Sequence, residues 1–196
     1  MKDIVKKCIR ASIEVKSKVI SDKKLLNQVV KLAQACVVSL ESGGKIIFCG
    51  NGGSFADAQH ISAELTSRFL FDRPSLASIV LGANSSSISA IGNDYGYENI
   101  FSREIESIAN KSDIIIAITT SGNSKNILKA LDIANAKGIS SFVFTGQSNG
   151  KLANFCEVLN IPSNNTARIQ ECHILIGHIL CQIIEDKIFG NDYDER

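Results

Sequence analysis

The sequence predicts an α/β three-layer sandwich, in which a five-stranded parallel sheet is flanked by helices and extra helices stand at the N-terminus. Five short runs rich in β-branched and aromatic residues are nearly all apolar, which is typical of strands buried on both faces of a parallel sheet. Segments of helical periodicity separate them, as right-handed strand–helix–strand crossovers require. The chain has 196 residues, 44% of them hydrophobic and 21% charged, which suits one domain with a proper core.

The order of the elements follows from this periodicity and from helix end signals. Residues 1–43 are expected to be helical, with Ser21 or Asp22 capping a second helix that ends at Gly43 and Gly44. The α/β core is expected over 44–162 and a long final helix over 166–189. The predicted strands are 45–49, 77–81, 113–118, 141–145 and 157–161, and the predicted helices between them are 54–70, 85–92, 98–110, 123–137 and a short one near 150–154.

Charge and composition exclude several classes of function. The formal net charge is +1 and no run of Lys or Arg exceeds two residues, so a nucleic-acid partner is not expected. No apolar run approaches the roughly 20 residues that a membrane span needs, and the charged N-terminus lacks a signal core. The six cysteines form no C-x-x-C pair and are expected to stay reduced. These features predict a cytoplasmic protein.

The stretch GNGGS (50–54) follows the first predicted strand. It is not a dinucleotide-binding fingerprint, because Phe55 stands where a third glycine is needed, and no Lys-Ser/Thr pair follows as in a P-loop. Gly52 and Gly53 nevertheless let a ligand approach the backbone, and Ser54 can donate at a helix N-terminus. A tight strand-to-helix turn that uses glycine for its geometry alone is the alternative.

A second loop, TTSGNS (119–124), follows the third predicted strand and precedes a helix. Thr119, Thr120, Ser121 and Ser124 offer four hydroxyl groups beside the backbone of Gly122. Hydroxyls and amides at a helix N-terminus bind phosphate without Lys or Arg. Helix capping explains one such hydroxyl but not four. Because both loops follow strands of one parallel sheet, a phosphorylated ligand is expected.

His60 and Glu64 are four residues apart on the helix that begins at the glycine loop. This spacing places both side chains on one face, where they can share a metal ion or move a proton. An ordinary surface pair is the alternative reading. Because the helix starts at the predicted phosphate loop, the pair is expected to face the ligand.

The last predicted helix carries polar residues among Ile, Leu and Cys. Gln170 and His178 are about 80° apart around such a helix and about 12 Å apart along it. One ion reaches both only at full side-chain extension, so at least one member of the site is expected to come from another subunit. His173 either supports the site or belongs to the core.

Four stretches together resemble the phosphoheptose isomerases, also called sedoheptulose 7-phosphate isomerases, over almost the whole chain. They are CGNGGSFADAQHISAEL (49–65), IGNDYGYENIFSRE (91–104), TTSGNSKNILKAL (119–131) and RIQECHILIGHILCQIIE (168–185). The resemblance implies a single SIS domain over 1–196 with the SIS fold. It also implies a homotetramer with active sites at subunit interfaces. The implied reaction converts D-sedoheptulose 7-phosphate to D-glycero-D-manno-heptose 7-phosphate, the first step toward activated heptose for bacterial lipopolysaccharide or surface polysaccharide.

The resemblance also implies a cofactor, one zinc ion per subunit, with ligands at His60, Glu64, Gln170 and His178. We expect Glu64 to act as the catalytic base and His178 as its proton-shuttling partner, although a zinc-bound Glu is a weaker base and the two roles compete. Ala167 stands where some relatives carry Asp, so no contact is expected from it. The implied contacts to the sugar phosphate are Asn51, Gly52, Gly53, Ser54, Glu64, Asn93, Asp94, Thr119, Thr120, Ser121, Ser124 and Gln170.

Two other functions stay open at this stage. A non-catalytic SIS protein, which senses sugar phosphates or associates with a replication initiator, would keep the phosphate loops and lose the acid/base residues. An isomerase for another phosphosugar would have the same phosphate loops. The presence of His60, Glu64, Gln170 and His178 together favours an enzyme over a non-catalytic protein.

Overall fold

The computed structural model describes residues 1–149, 152 and 155–193. The predicted short helix near 150–154 therefore lies outside the described residues, apart from Leu152. A 3₁₀ turn covers Tyr97–Asn99. The helices and strands are α1 (Lys2–Ser21), α2 (Lys23–Glu41), β1 (Ile46–Gly50), α3 (Gly53–Thr66), β2 (Ser78–Val80), α4 (Ser85–Tyr95), α5 (Ile100–Ile108), β3 (Ile114–Ile118), α6 (Lys125–Ala136), β4 (Ser140–Thr145), β5 (Glu157–Asn160) and α7 (Thr166–Tyr193).

The five strands form one parallel sheet in the order β2-β1-β3-β4-β5, which confirms the predicted fold class. All residues of β1 and β3 are buried, as expected for strands with a helix layer on each face. Because β1 and β3 are neighbours, the loops after them lie side by side at the carboxyl edge of the sheet.

Side chains of β1 alternate between two apolar cores, which gives the three layers. Ile46 and Phe48 face a core shared with α2, α3 and α7. Ile47 and Cys49 face a second core shared with α5 and α6. The first core includes α7, so the helix that carries His178 packs beside the helix that carries His60 and Glu64.

The two N-terminal helices differ in how many of their side chains are buried. Asp22 caps α2 as predicted, since its carboxylate accepts the N–H groups of Lys24 and Leu25, each at 3.0 Å. In α1 only Val15 and Val19 are buried. An outer row of large apolar side chains stays exposed on α1, consisting of Ile4, Val5, Ile9, Ile13 and Ile20. No helix in the described part of the chain is long and apolar enough to cross a membrane.

Helix α3 ends at Thr66, four residues before the predicted end at 70. The cause is a contact that is distant in sequence. Arg73 donates to the carbonyls of Glu64 and Leu65, and the Glu185 carboxylate on α7 accepts the N–H of Phe69 at 2.9 Å. These bonds turn the chain away from the helix axis. The final helix, by contrast, runs to Tyr193 and is longer than the predicted 166–189.

Candidate active site and metal centre

The two predicted phosphate loops are joined by a pair of side-chain amides. Asn51, after β1, donates to the amide oxygen of Asn126 at 3.0 Å, and Asn126 donates back to Asn51 at 2.8 Å. The Tyr97 hydroxyl donates to the same Asn51 oxygen at 3.2 Å. Asn126 is 3% exposed, so this pair fixes the spacing of the loops. Sequence reasoning missed Asn126, because its partner is 75 residues away.

Two positions of the glycine loop have geometry that favours glycine. Gly52 has a φ of +56°, which side-chain-bearing residues rarely adopt. A Cβ on Gly53 would lie 2.7 Å from Nε2 of Gln170. The loop therefore packs directly under the Gln170 amide, at the N-terminus of α3, where backbone N–H groups favour an anion.

The second loop presents its hydroxyls at the start of α6. Thr119 is buried, and its Oγ1 lies 3.5 Å from Oγ of Ser124. Ser121 is exposed, and its hydroxyl accepts the N–H of Asn123 at 3.3 Å. Thr120 is half-buried between them. Ser54 lies buried in the first turn of α3, after the neighbouring strand.

His60, Glu64 and His178 come together although α3 and α7 are far apart in sequence. Nε2 of His60 lies 3.1 Å from Oε1 of Glu64 and 3.4 Å from Nε2 of His178. One potential ligand atom from each of the three residues falls within 4.8 Å of the other two. The His60 side chain is 51% exposed and that of Glu64 25%, so a ligand in solvent can reach the cluster.

The spacing of these atoms suits a tetrahedral metal ion. Ligands at the usual zinc–nitrogen distance of about 2.0–2.1 Å lie about 3.3–3.4 Å from one another. The two facing imidazole nitrogens are separated by 3.4 Å. Without an ion, one of these nitrogens must carry a proton to make this contact favourable. Two imidazoles and one carboxylate, with a position left for substrate, are a common donor set of catalytic zinc sites.

Other predicted site residues lie apart from this cluster. The amide of Gln170 lies against Gly53 at the glycine loop, so its predicted role as a zinc ligand stays a prediction. Asn93 and Asp94 lie at the exposed end of α4 and bond to each other at 2.8 Å. They line a shallow depression with Ser86 and Ser89.

Two residues beside the cluster were not found from the sequence. Oδ2 of Asp57, one turn before His60, is buried and has no hydrogen-bond partner among the described residues. Burial raises the pKa of the Asp57 carboxyl, and the His60 and His178 imidazoles oppose that rise. Phe69 stacks on the His178 ring, with centroids 5.6 Å apart and planes inclined by 24°. An acidic residue three positions before His60 was the available signal for Asp57.

His173 belongs to the core. It is fully buried, packs against Phe144, and its Nε2 lies 3.3 Å from the carbonyl oxygen of Thr145. Because a carbonyl only accepts, the neutral ring carries its proton on Nε2. Burial lowers the pKa of His173 to about 4, although the bond to Thr145 opposes the change.

Comparison with known proteins gives one consistent result. The SIS domain family matches residues 10–146. A phosphoheptose isomerase from Aneurinibacillus thermoaerophilus is 46% identical over 194 residues, covering 98% of both chains. One from Sulfurimonas denitrificans is 48% identical, covering 97% of this chain and 98% of the relative. The solved phosphoheptose isomerase of Neisseria gonorrhoeae superimposes with a TM-score of 0.88 at 36% identity, covering 94% of this chain and 98% of that one.

Proposed function

Because the chain belongs to the phosphoheptose isomerase family of SIS-domain proteins, we propose that it isomerises D-sedoheptulose 7-phosphate to D-glycero-D-manno-heptose 7-phosphate. The observation that carries this proposal is the cluster that His178 on α7 forms with His60 and Glu64, which lie on the helix that starts at the glycine loop. An anion at the loop and an acid/base group about three turns away match the two ends of a phosphorylated sugar. The product is a precursor of activated heptose for bacterial surface polysaccharide.

The reaction moves one carbon-bound proton between adjacent carbons. Glu64 takes the proton from carbon 1 of the ketose, the electrons form the enediol, and the proton returns to carbon 2. His178 takes the proton from the hydroxyl on carbon 1 and delivers one to the oxygen on carbon 2.

The donor set supports a zinc ion held by His60, Glu64 and His178, one ion per subunit. When bound, zinc supplies Lewis-acid stabilisation of the negative charge that develops on the sugar oxygen. Gln170 is the proposed fourth ligand. Since its amide lies at Gly53 within one chain, it would join the cluster by a side-chain movement or from a neighbouring subunit.

The phosphate is proposed to bind between the two loops. Five hydroxyl groups at the N-termini of α3 and α6 would donate hydrogen bonds to it, those of Ser54, Thr119, Thr120, Ser121 and Ser124. The remaining proposed sugar contacts are Asn51, Gly52, Gly53, Glu64, Asn93, Asp94 and Gln170. Asn93 and Asp94 are at the exposed end of α4. In the proposed tetramer they would contact the sugar in the active site of a neighbouring subunit.

A homotetramer is the proposed assembly. The exposed apolar row of α1 supports it, since a patch of this kind on a small protein usually marks an interface. A single species of monomer mass in sedimentation equilibrium would contradict the proposal.

The cytoplasm is the proposed compartment. All six cysteines lie in the described residues and are unpaired there, and burial raises the pKa of Cys49 and Cys181 to about 12. Such thiols stay protonated and unreactive. Recovery of the protein in an oxidising compartment after cell fractionation would contradict this.

The direct test is an isomerase assay on sedoheptulose 7-phosphate, with and without added zinc. Glu64→Gln keeps the shape of the side chain and removes its basicity, so kcat is expected to fall at least about 100-fold. Glu41→Gln, at the exposed end of α2, is the matched control and should retain full activity. Wild type that fails to turn over with zinc supplied would favour a non-catalytic sugar-phosphate-binding protein or an isomerase for another phosphosugar.

A further inference from the structure

A buried ion pair lies behind the cluster, between the chain that follows α3 and helix α7. Arg73 and Glu185 are 2% and 0% exposed, and Nε of Arg73 donates to Oε1 of Glu185 at 2.8 Å. Burying two charges costs solvation energy that their attraction often fails to recover. The Arg73–Glu185 pair is therefore expected to contribute little net stability, and its contacts indicate another role.

The carboxylate of Glu185 is saturated by donors from the segment after α3. Besides Arg73, it accepts the N–H of Phe69 at 2.9 Å and the N–H of Leu70 at 2.7 Å. Glu185 is seven residues after His178, so the two side chains project from the same face of α7, about 10 Å apart along it. The segment bonded to Glu185 therefore lies on the face of α7 that carries His178.

The guanidinium of Arg73 donates hydrogen bonds to α3, the other helix that contributes to the cluster. Its Nη2 donates to the carbonyl of Glu64 at 2.8 Å, and its Nη1 donates to the carbonyl of Leu65 at 2.8 Å. These carbonyls belong to the last turn of α3, where no further helical N–H groups are available. One ion pair thus bonds to the backbone of a cluster residue on α3 and is anchored on α7.

Phe69 connects the ion pair to the imidazole of His178. Its N–H is fixed by Glu185, and its ring stacks on the His178 ring. The His178 ring therefore contacts two rings, Phe69 in a stacked arrangement and His60, whose centroid lies 5.0 Å away in an edge-on arrangement. With the ring turned away, the 3.4 Å approach of the two Nε2 atoms would be lost.

We infer that Arg73, Glu185 and Phe69 form a positioning device that sets the distance and ring orientation of His178 relative to His60 and Glu64. The inference rests on the metal site of the proposed function. It predicts that loosening the device weakens metal binding, in the range of 10–100-fold that is typical when groups supporting a metal ligand are changed.

The structure offers a matched control at the opposite end of the sheet. Asp113 is also a buried carboxylate, 1% exposed, paired with a cation, Lys45, at 2.7 Å. It too accepts two backbone N–H groups, from Lys45 and Asn110. It precedes β3, whereas the cluster lies at the carboxyl edge, so Asp113→Asn reproduces the loss of a buried charge without touching the site.

The experiment measures zinc affinity by competition with a chromophoric chelator in wild type, Glu185→Gln, Phe69→Leu and Asp113→Asn. Melting temperatures of the metal-free proteins are recorded in parallel. Glu185→Gln and Asp113→Asn should both lower the melting temperature, but only Glu185→Gln should weaken zinc binding, by at least tenfold. Phe69→Leu keeps every buried charge paired and should also weaken zinc binding, so the inference stays testable if Glu185→Gln fails to fold.

A nuclear Overhauser contact between the Phe69 ring and the His178 ring in metal-free protein is the second readout. It should be present in wild type and Asp113→Asn and lost or weakened in Glu185→Gln. Zinc affinity unchanged in both Glu185→Gln and Phe69→Leu would overturn the inference. Wild type that binds no zinc would overturn the proposed metal site instead, and the ring contact alone would then decide the positioning role.

Discussion

Single residues show most clearly which parts of the site the sequence can reveal. His60 and Glu64 were predicted because their spacing on one helix is local information. His178 was placed with them by resemblance, and the structure brings its ring to 3.4 Å from His60. Asp57 and Phe69 escaped notice because both lie beside His178 on α7, which comes more than 100 residues later in the chain. Spacing identifies partners on one helix, but not partners brought together by packing.

Gly53 offers a prediction at this scale. Gly53→Ala places a methyl group 2.7 Å from Nε2 of Gln170, which must shift and fill the space above the glycine loop. We expect kcat/KM for the phosphosugar to fall about tenfold or more, since small displacements at a binding site are costly. Stability should change little, because the end of a Gln side chain can move.

Gly190→Ala is the matched control for this measurement. Its added Cβ makes only an ordinary contact at 4.0 Å with Asp186 on the outer part of α7. Kinetics should stay at wild-type values, with a gain in stability of up to about 1 kcal/mol from helix propensity. Wild-type kinetics in Gly53→Ala would show that substrate does not approach this backbone.

At the scale of elements, the strands were predictable and the end of α3 was not. Apolar β-branched runs indicate buried strands wherever they occur, and all five pair in parallel. The end of α3 is decided by Arg73 and Glu185, which are 112 residues apart. A helical pattern cannot anticipate a carboxylate from another helix that captures the N–H groups of Phe69 and Leu70.

The link between the two loops gives the element-scale prediction. Asn126→Ala leaves the Asn51 amide without its reciprocal partner and should cost about 1–3 kcal/mol of unfolding free energy. The double variant Asn51→Ala/Asn126→Ala should cost clearly less than the sum of the single changes. Urea unfolding measures both, with Asn135→Ala, exposed at the far end of α6, as the control. Strictly additive losses of unfolding free energy would mean that the two loops are held in place without this pair of amides.

At the scale of the whole molecule, one buried imidazole couples stability to pH. Burial lowers the pKa of His173 to about 4 in the folded state, against 6.5 for the exposed group. The unfolded chain therefore binds the extra proton first as pH falls. The stabilisation is complete above pH 6.5 and is lost progressively toward pH 4, by up to about 3 kcal/mol.

His173→Asn removes this titration while keeping a donor for the Thr145 carbonyl. Its unfolding free energy, measured in urea at several values between pH 4.5 and 7, should fall less steeply with acid than that of wild type. The difference between the two curves isolates His173 from His60 and His178, which both proteins contain. Parallel curves for the two proteins would mean that His173 is not held neutral by the fold.

The central claim is that the His60–Glu64–His178 cluster moves a carbon-bound proton of a phosphorylated heptulose. The most direct measurement follows sedoheptulose 7-phosphate by NMR in D₂O with zinc present, comparing wild type with Glu64→Gln. Wild type is predicted to form the heptose 7-phosphate and to place deuterium on the carbon next to the carbonyl, while Glu64→Gln does neither at a comparable rate. Conversion and exchange at equal rates in both proteins, or neither process in wild type, would contradict the claim.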